Sequence, residues 1–519
     1  MSDTTAANDL TRRSACELAQ GVRSGNWSAA EVTQAHIARI AQINPTLNAV
    51  CVPLFEQARH DAAKIDEARQ RGEPLGPLAG VPLTIKECFD VTGTPTTLGM
   101  PSRVAHQATA DAVLVGRVRR AGGVVLGKTN VPQLMLLHES DNPLYGRTLH
   151  PTRPERSPGG SSGGEASIIA AHGSPLGLAS DLGGSIRQPA HSCGICGFKP
   201  TTSRLTNRGS TNIFTGLEVL GGQPGPMARS VDDLMLAMQV LCHAESPPLE
   251  TVTPPLPWRD MLAGPMPDWR VGYWSEDGFT RPSPAIRRAV DEVAHRLASI
   301  GIPVERFEPP AVPEAMQMYF HLISANGGGA ARRLTGHDPL HPAIRRLLRL
   351  GRCPGWLRPL LSGVLNLIGQ RQIAWMIRNT GAISTGMFWQ LTAEVRRYQR
   401  RFLELINARG FTTLICPPHA LVALTHGSSG YLSSAAASSM LINLLGFPAG
   451  VVPWTTVAPG EESDRRASGD WFERAALAVE AGSAGLPVGV QIVGRPWEDE
   501  ATLAMMAIVE GLRRDCGGD

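Results

Sequence analysis

Pro158 to Gly164 reads PGGSSGG and runs straight into EASIIAAHGS, Glu165 to Ser174. Both Ser161 and Ser162 satisfy G-x-S-x-G, the nucleophile elbow of α/β-hydrolases, and accepting that match would set the fold. The elbow requires a buried strand running into the serine and a helix leaving it. What precedes is HPTRPERSPGG, His150 to Gly160, with three prolines and alternating charge. Proline offers no ladder donor and is confined to sheet edges and bulges, so this segment is no central strand. The elbow reading fails, and the serines need another scaffold and another activating group.

The chain has 519 residues, 42% hydrophobic and 18% charged, an ordinary globular composition that can bury a large core. A net charge of +3 gives no reason to expect a nucleic-acid partner. The nine cysteines are odd in number and scattered from Cys16 to Cys516, which fits a reducing compartment better than a disulfide framework. MSDTTAANDLTRR at the start lacks the apolar stretch of a secretory signal, so a cytoplasmic location is expected.

Outward from the serines, apolar β-branched runs alternate with helical patterns. GVPLTIKE (80–87), DAVLVGRVRRAG (111–122) and VVLGKT (124–129) lie upstream; SPAIRRAVDEVAHRLASIG (283–301) and IPVERF (302–307) lie downstream. Such alternation indicates an α/β protein with a largely parallel or mixed sheet. Ser28 and Glu31 stand in capping-box spacing, and the helix they open is expected to stop at Asn44-Pro45. Ser283 is expected to cap the later helix, with Pro284 in its first turn and Gly301 ending it. The Pro-rich ESPPLETVTPPLPW, residues 245–258, is the clearest linker. AAASSMLINLLGFPAGVVPW, residues 435–454, is the only candidate membrane span, but Asn443, Pro448, Gly450 and Pro453 favour a buried helix followed by a buried strand.

Three other motifs carry less than they promise. GGVVLGKT, Gly122 to Thr129, matches the phosphate-binding P-loop, yet a helical pattern precedes it and the strand-like VVL lies inside the supposed loop. Cys193-Gly-Ile-Cys196 has half-zinc or redox spacing without a second pair, so two core thiols are expected and no metal. His172 and His191 flank the serine region, which keeps a Ser-His-Asp triad open as the minority reading.

The glycine-serine cluster would pass for a flexible linker if it stood alone. It leads into a segment that reads as packed, a second cluster DLGGSIRQPA follows at Asp181 to Ala190, and Lys86 ends an apolar run upstream. A buried lysine favours its neutral amine, which is a competent general base. It can deprotonate one serine through another. Leu182, Gly183 and Gly184 precede Ser185, and glycines let backbone N–H groups converge on an oxyanion.

GVPLTIKE, the run SPGGSSGGEASIIAAHGSPLGLASDLGGSIRQPAHSCGICGFKPT (157–201) and the terminal GLPVGVQIVGRPWEDE (485–500) together resemble the amidase signature hydrolases, and within them the fatty acid amide hydrolase branch. The resemblance implies an amidase signature fold, a large mixed β-sheet covered by helices on both faces. It makes Ser185 the nucleophile, Lys86 the base, and Ser161 a bridging serine after a cis Gly160-Ser161 bond. Oxyanion donors would come from Leu182, Gly183, Gly184 and Ser185, with Ser162, Asp181 and Arg187 in support. Met135 and Leu136 fall where an acyl channel would be lined, and Leu136 stands where that branch suggests an aromatic residue. The implied reaction is hydrolysis of fatty or aryl acyl amides, with esters as further substrates, through an acyl-enzyme and without cofactor.

The expected organisation is an N-terminal helical segment (1–75), a signature core (76–243), a back half (244–410) with an amphipathic insertion near 340–378, and a C-terminal part of the same domain (411–519). From Pro339 to Ala393 there is no Asp or Glu, while Arg345, Arg346, Arg349, Arg352, Arg358, Arg371 and Arg378 interleave with apolar runs. Residues 343–378 are therefore expected to meet an anionic membrane peripherally, with Trp356 or Trp375 in the acyl boundary, at the inner membrane surface. A homo-oligomer follows from the resemblance. The competing readings are an amidotransferase subunit acting on charged tRNA and an inactive lipid-binding scaffold. The insertion and the modest charge weigh against the first, and joint retention of Lys86, Ser161 and Ser185 against the second.

Overall fold

The computed structural model describes residues 10–242, 251–259 and 268–514. Its strands are β1 (Val50–Pro53), β2 (Pro82–Lys86), β3 (Val124–Thr129), β4 (Asp141–Asn142), β5 (Gly146–Arg147), β6 (Leu176–Asp181), β7 (Cys196–Lys199), β8 (Gln223–Ala228), β9 (Val271–Tyr273), β10 (Val304–Arg306), β11 (Thr413–Cys416), β12 (Ala449–Thr456) and β13 (Pro487–Gly494). All but the β4–β5 ribbon join one sheet in the order β1-β3-β2-β6-β8-β7-β12-β13-β11-β9-β10. The sheet is mixed: β2 runs parallel to β3 and β6, β9 parallel to β10 and β11, and the remaining pairs are antiparallel. Helices flank it, and strands from both sides of the Pro-rich 245–258 segment contribute; residues 245–250 of that segment and Cys516 lie outside the described residues.

The continuous apolar runs become interior strands because both faces of this sheet are covered. β2, β3 and β8 are buried at every position. The P-loop match is therefore ordinary strand β3, with the Lys128 ammonium turned inward to the Pro95 carbonyl and the Thr96 hydroxyl. β8, QPGPMA, breaks the rule that proline avoids interior strands. The reason is local: β7 pairs only with Met227 and Ala228, so Pro224 and Pro226 occupy a stretch with a ladder on the β6 side alone.

Ser28 and Glu31 form the reciprocal capping box that opens helix Ala29–Leu47. That helix runs through Pro45 instead of stopping before it; the lost N–H falls in the last turn, and the Asn44 side chain takes the N–H groups of Ala49 and Val50 just beyond. Ser283 precedes helix Pro284–Ser299 as expected, but its hydroxyl makes no cap and goes instead to the buried Glu480 carboxylate, 2.7 Å away. The apolar stretch near 440 folds as helix Ala437–Leu445, closed by left-handed Gly446, followed by β12. Among the described residues no helix is long and apolar enough to cross a membrane.

The arginine-rich insertion folds as helices Pro342–Gly351, Arg358–Leu367 and Arg371–Arg378. Two of its residues depart from the expected surface role. Arg358 is buried, where it gathers the carbonyls of Cys353, Leu350 and Gly351. Trp375 packs edge-on against Phe279 and Phe320, with ring centroids 4.8 and 5.7 Å away, whereas Trp356 is 79% exposed.

Candidate active site

Parallel strands β2 and β6 lie side by side, Ile85 opposite Leu178, and their carboxyl ends deliver Lys86 and Asp181 to one edge of the sheet. That is where open α/β sheets place their ligands. The serine-rich loop crosses this edge before helix Gly163–Ala170, with a cis peptide between Gly160 and Ser161. Only glycine fits at 160, since a Cβ there would lie 2.6 Å from the Leu137 carbonyl oxygen and 2.7 Å from the Glu139 nitrogen.

Lys86 is fully buried. Its Nζ donates to Ser161 Oγ at 2.7 Å and lies 3.1 Å from both the carbonyl and the hydroxyl of Ser180. Burial lowers its pKa to about 8, against the opposing pull of Cys88, Asp181 and Glu165, so the neutral amine is accessible near neutrality. Glu165 sits in the same buried pocket, receiving the hydroxyls of Thr84 at 2.6 Å and Thr129 at 2.8 Å, and burial raises its pKa to about 8. Burial thus works against the charged form of both groups.

Ser185 lies across from this pair and is 8% exposed, and its carbonyl accepts the Ser162 N–H at 3.2 Å. The Ser185 hydroxyl forms no hydrogen bond among the described residues, which leaves it open toward a substrate. Ser162 donates its hydroxyl to the Ser180 carbonyl at 3.4 Å.

Asp181 and Arg187 hold the loop between them. The Arg187 guanidinium reaches both Asp181 oxygens, at 2.9 and 3.0 Å, and also Gln491, Asn443 and the Ser439 carbonyl. Burial alone would raise the Asp181 pKa, but the charge and hydrogen bonds of Arg187, with Asn443, hold it well below the carboxylate range. Asp181 in turn accepts the N–H groups of Gly184 at 2.8 Å and Ile186 at 3.0 Å. Gly184 was expected among the oxyanion donors, and its N–H is committed to Asp181 instead. The N–H groups of Leu182, Gly183 and Ser185 make no backbone–backbone hydrogen bond among the described residues, and the buried His138 ring lies within hydrogen-bonding reach of the Gly183 backbone. Breaking a buried ion pair by removing one partner costs about 3–5 kcal/mol, because the remaining charge is stranded. Arg187→Met is therefore expected to lower the melting temperature by several degrees in a thermal scan.

Met135 and Leu136 lie on a half-buried turn in which Leu134 and Met135 both take left-handed backbone angles, φ 60° and 57°. Such angles are disfavoured for residues with a Cβ and persist where surrounding contacts impose them. Here Gln133 straps the turn to the start of the insertion, donating to the Pro339 carbonyl at 2.9 Å and accepting from the His341 N–H at 2.8 Å.

The histidine alternative finds no geometry. His191 accepts the Gly489 N–H on Nδ1, and burial lowers its pKa to about 4; His172 is likewise lowered to about 4 by burial, among Arg229, Arg12 and Arg39. Neither bonds Ser161, Ser162 or Ser185 among the described residues. Cys193 and Cys196 are core thiols directed at different acceptors, the Pro158 carbonyl and Glu510. No cluster of three His, Cys, Asp or Glu side chains able to hold a metal occurs among the described residues. Sequence reading missed Ser180, which shares Lys86, and Asn443, which completes the Asp181–Arg187 knot. A lone polar residue in the apolar run LINLL was the available signal for Asn443.

Residues 31–503 match the family model described as Amidase. The chain is 34% identical to fatty-acid amide hydrolase 1 of Sus scrofa over 96% of its own length and 85% of that protein, and 30% identical to fatty acid amide hydrolase 1 of Caenorhabditis elegans over 95% and 87%. A solved fatty acid amide hydrolase superposes with a TM-score of 0.85 at 25% identity, covering 98% of this chain and 86% of that one. With a family match over most of its length and a fold that superposes on that of the solved enzyme, the chain belongs to the amidase signature family and is an amide hydrolase.

Proposed function

We propose that this amidase cleaves amides of fatty or aryl carboxylic acids, with esters as further substrates, through a Ser185–Ser161–Lys86 relay. The observation that carries the reading is the 2.7 Å hydrogen bond from a fully buried Lys86, its pKa lowered by desolvation, to Ser161. Neutral Lys86 takes the Ser161 proton as Ser161 takes that of Ser185, and Ser185 Oγ adds to the amide carbonyl. The carbonyl π electrons move to oxygen, where free backbone N–H groups of Leu182, Gly183 and Ser185 stabilise them. Collapse of the adduct expels the amine, which receives its proton back through Ser161. Water then hydrolyses the acyl-enzyme by the same relay. Ser161 and Ser185 are expected to close their hydrogen bond only with substrate in place, as catalytic contacts commonly do.

Para-nitroanilides of graded acyl length test the reading. Release of nitroaniline from at least one chain length is expected, and no release from any of them, nor from primary amides, overturns it. Membrane contact belongs to the same reading, as does a homo-oligomer in a cytoplasmic setting. Leu360, Val364, Leu367 and Ile368 recur at helical spacing along one exposed face, Leu367 at 88%, and Trp356, Arg345 and Arg349 of the same insertion are exposed as well. This suits an interfacial helix flanked by cations. Co-flotation with anionic vesicles is expected, weakened by salt and by Arg345→Glu with Arg349→Glu. Retention of the wild type wholly in the soluble fraction at low salt would remove the membrane element.

A further inference from the structure

Tyr319 lies on helix Val312–Ser324, 134 positions beyond Ser185 in sequence, yet it is 3% exposed against the nucleophile loop. Its phenol oxygen stands 3.2 Å from the Leu182 carbonyl oxygen and, lacking any other acceptor among the described residues, donates to it. A Cβ on Gly183 would lie 2.4 Å from the same phenol oxygen and 3.5 Å from the carbon that bears it. The ring is buried among other aromatic side chains and meets Phe320 edge-on at 5.6 Å. Burial raises the phenol's pKa above its ordinary value, so the group stays a donor throughout the working range.

The Leu182 carbonyl and the Gly183 N–H belong to one peptide group. That group is planar and trans, so the C=O and N–H bonds point in opposite directions and their dipoles add. A donor on the carbonyl therefore fixes where the N–H points, and it polarises that N–H as a chain of hydrogen bonds does. One residue further on, Asp181 grips the Gly184 N–H at 2.8 Å. The Gly183 N–H is left between these two restraints with no backbone acceptor among the described residues.

We propose that Tyr319 is a positioning residue for the oxyanion site, holding the 182–183 peptide so that the Gly183 N–H meets the charge developing on the substrate oxygen. The inference rests on the reading of Ser185 as nucleophile. The 3.2 Å contact is long for a hydroxyl donor, which leaves it room to shorten as the N–H takes up charge. Its effect should therefore fall on the transition state more than on the bound substrate.

Tyr319→Phe keeps the ring and removes only the hydroxyl. On a soluble anilide, kcat is expected to fall about three- to tenfold, the scale of one neutral hydrogen bond, with KM and melting temperature unchanged. The inhibition constant for phenylboronic acid, which forms a tetrahedral adduct on a serine, should weaken by a similar factor. Gly183→Ala should be more damaging, and adding Tyr319→Phe to it should recover part of the loss, because the oxygen that the new methyl strikes is gone. An unchanged kcat, a rise in KM alone, a loss of activity matched by loss of fold, or a double variant no better than Gly183→Ala each overturns the proposal. Failure of the underlying reading is seen separately: Ser185→Ala would then still react covalently with a serine-directed phosphonate.

Discussion

Ser185→Ala is expected to abolish turnover, by about 10⁴–10⁶-fold, and with it all covalent labelling by a fluorophosphonate. Wild-type protein should gain the mass of one phosphonyl group, located by peptide mapping on Ser185. Three serines compete for that label on sequence grounds, and they differ in their hydrogen bonds. Ser161 Oγ accepts from Lys86 at 2.7 Å and Ser162 Oγ is turned to the Ser180 carbonyl, whereas the Ser185 hydroxyl is unbonded among the described residues. Label on Ser161 or Ser162 in the wild type would reverse the assignment of nucleophile and bridge.

Lys86→Ala should reduce amide hydrolysis by about 10²–10⁴-fold, the contribution of a positioned general base, while leaving the fold intact. The pH profile carries the sharper information. Burial places the Lys86 pKa at about 8, and only the neutral amine can accept a proton. Activity should therefore rise with pH, about tenfold per unit below 8, and level off above it; at pH 7 about a tenth of the enzyme is in the competent form. A histidine base predicts otherwise. His172 and His191 are lowered to about 4, so a relay through either would be deprotonated and flat from pH 6 upward. Glu165 titrates in the same pocket, so the limb in kcat/KM belongs to the pair. Glu165→Gln should leave a single ionisation near 8 in place. Removal of that limb by Glu165→Gln, with Lys86 present, would assign the titration to the carboxyl and reverse the base assignment.

The sequence by itself determined the class of the fold, because periodicity is a local property. GVPLTIKE and VVLGKT read as strands and fold as β2 and β3; DAVLVGRVRRAG holds helix Val113–Arg120; Ser28 with Glu31 closes a capping box three residues apart. The long glycine-serine motif was specific enough to name the family, and with GVPLTIKE upstream it brought Lys86, Ser161, Ser162, Asp181, Ser185 and Arg187 to attention together. Local rules failed where a distant element supplied the missing group. β8 tolerates two prolines because β7 stops pairing beside them, and Ser283 forgoes its cap for Glu480, 197 residues away. Tertiary structure alone decided which of the insertion's arginines faces water, sending Arg358 inward to three carbonyls, and how the 181–185 loop is held, by directing Asp181 at the Gly184 N–H and Tyr319 at the Leu182 carbonyl. Hydrogen-bond partners are settled by which groups burial leaves without water, and that depends on chain segments hundreds of residues apart meeting in one core.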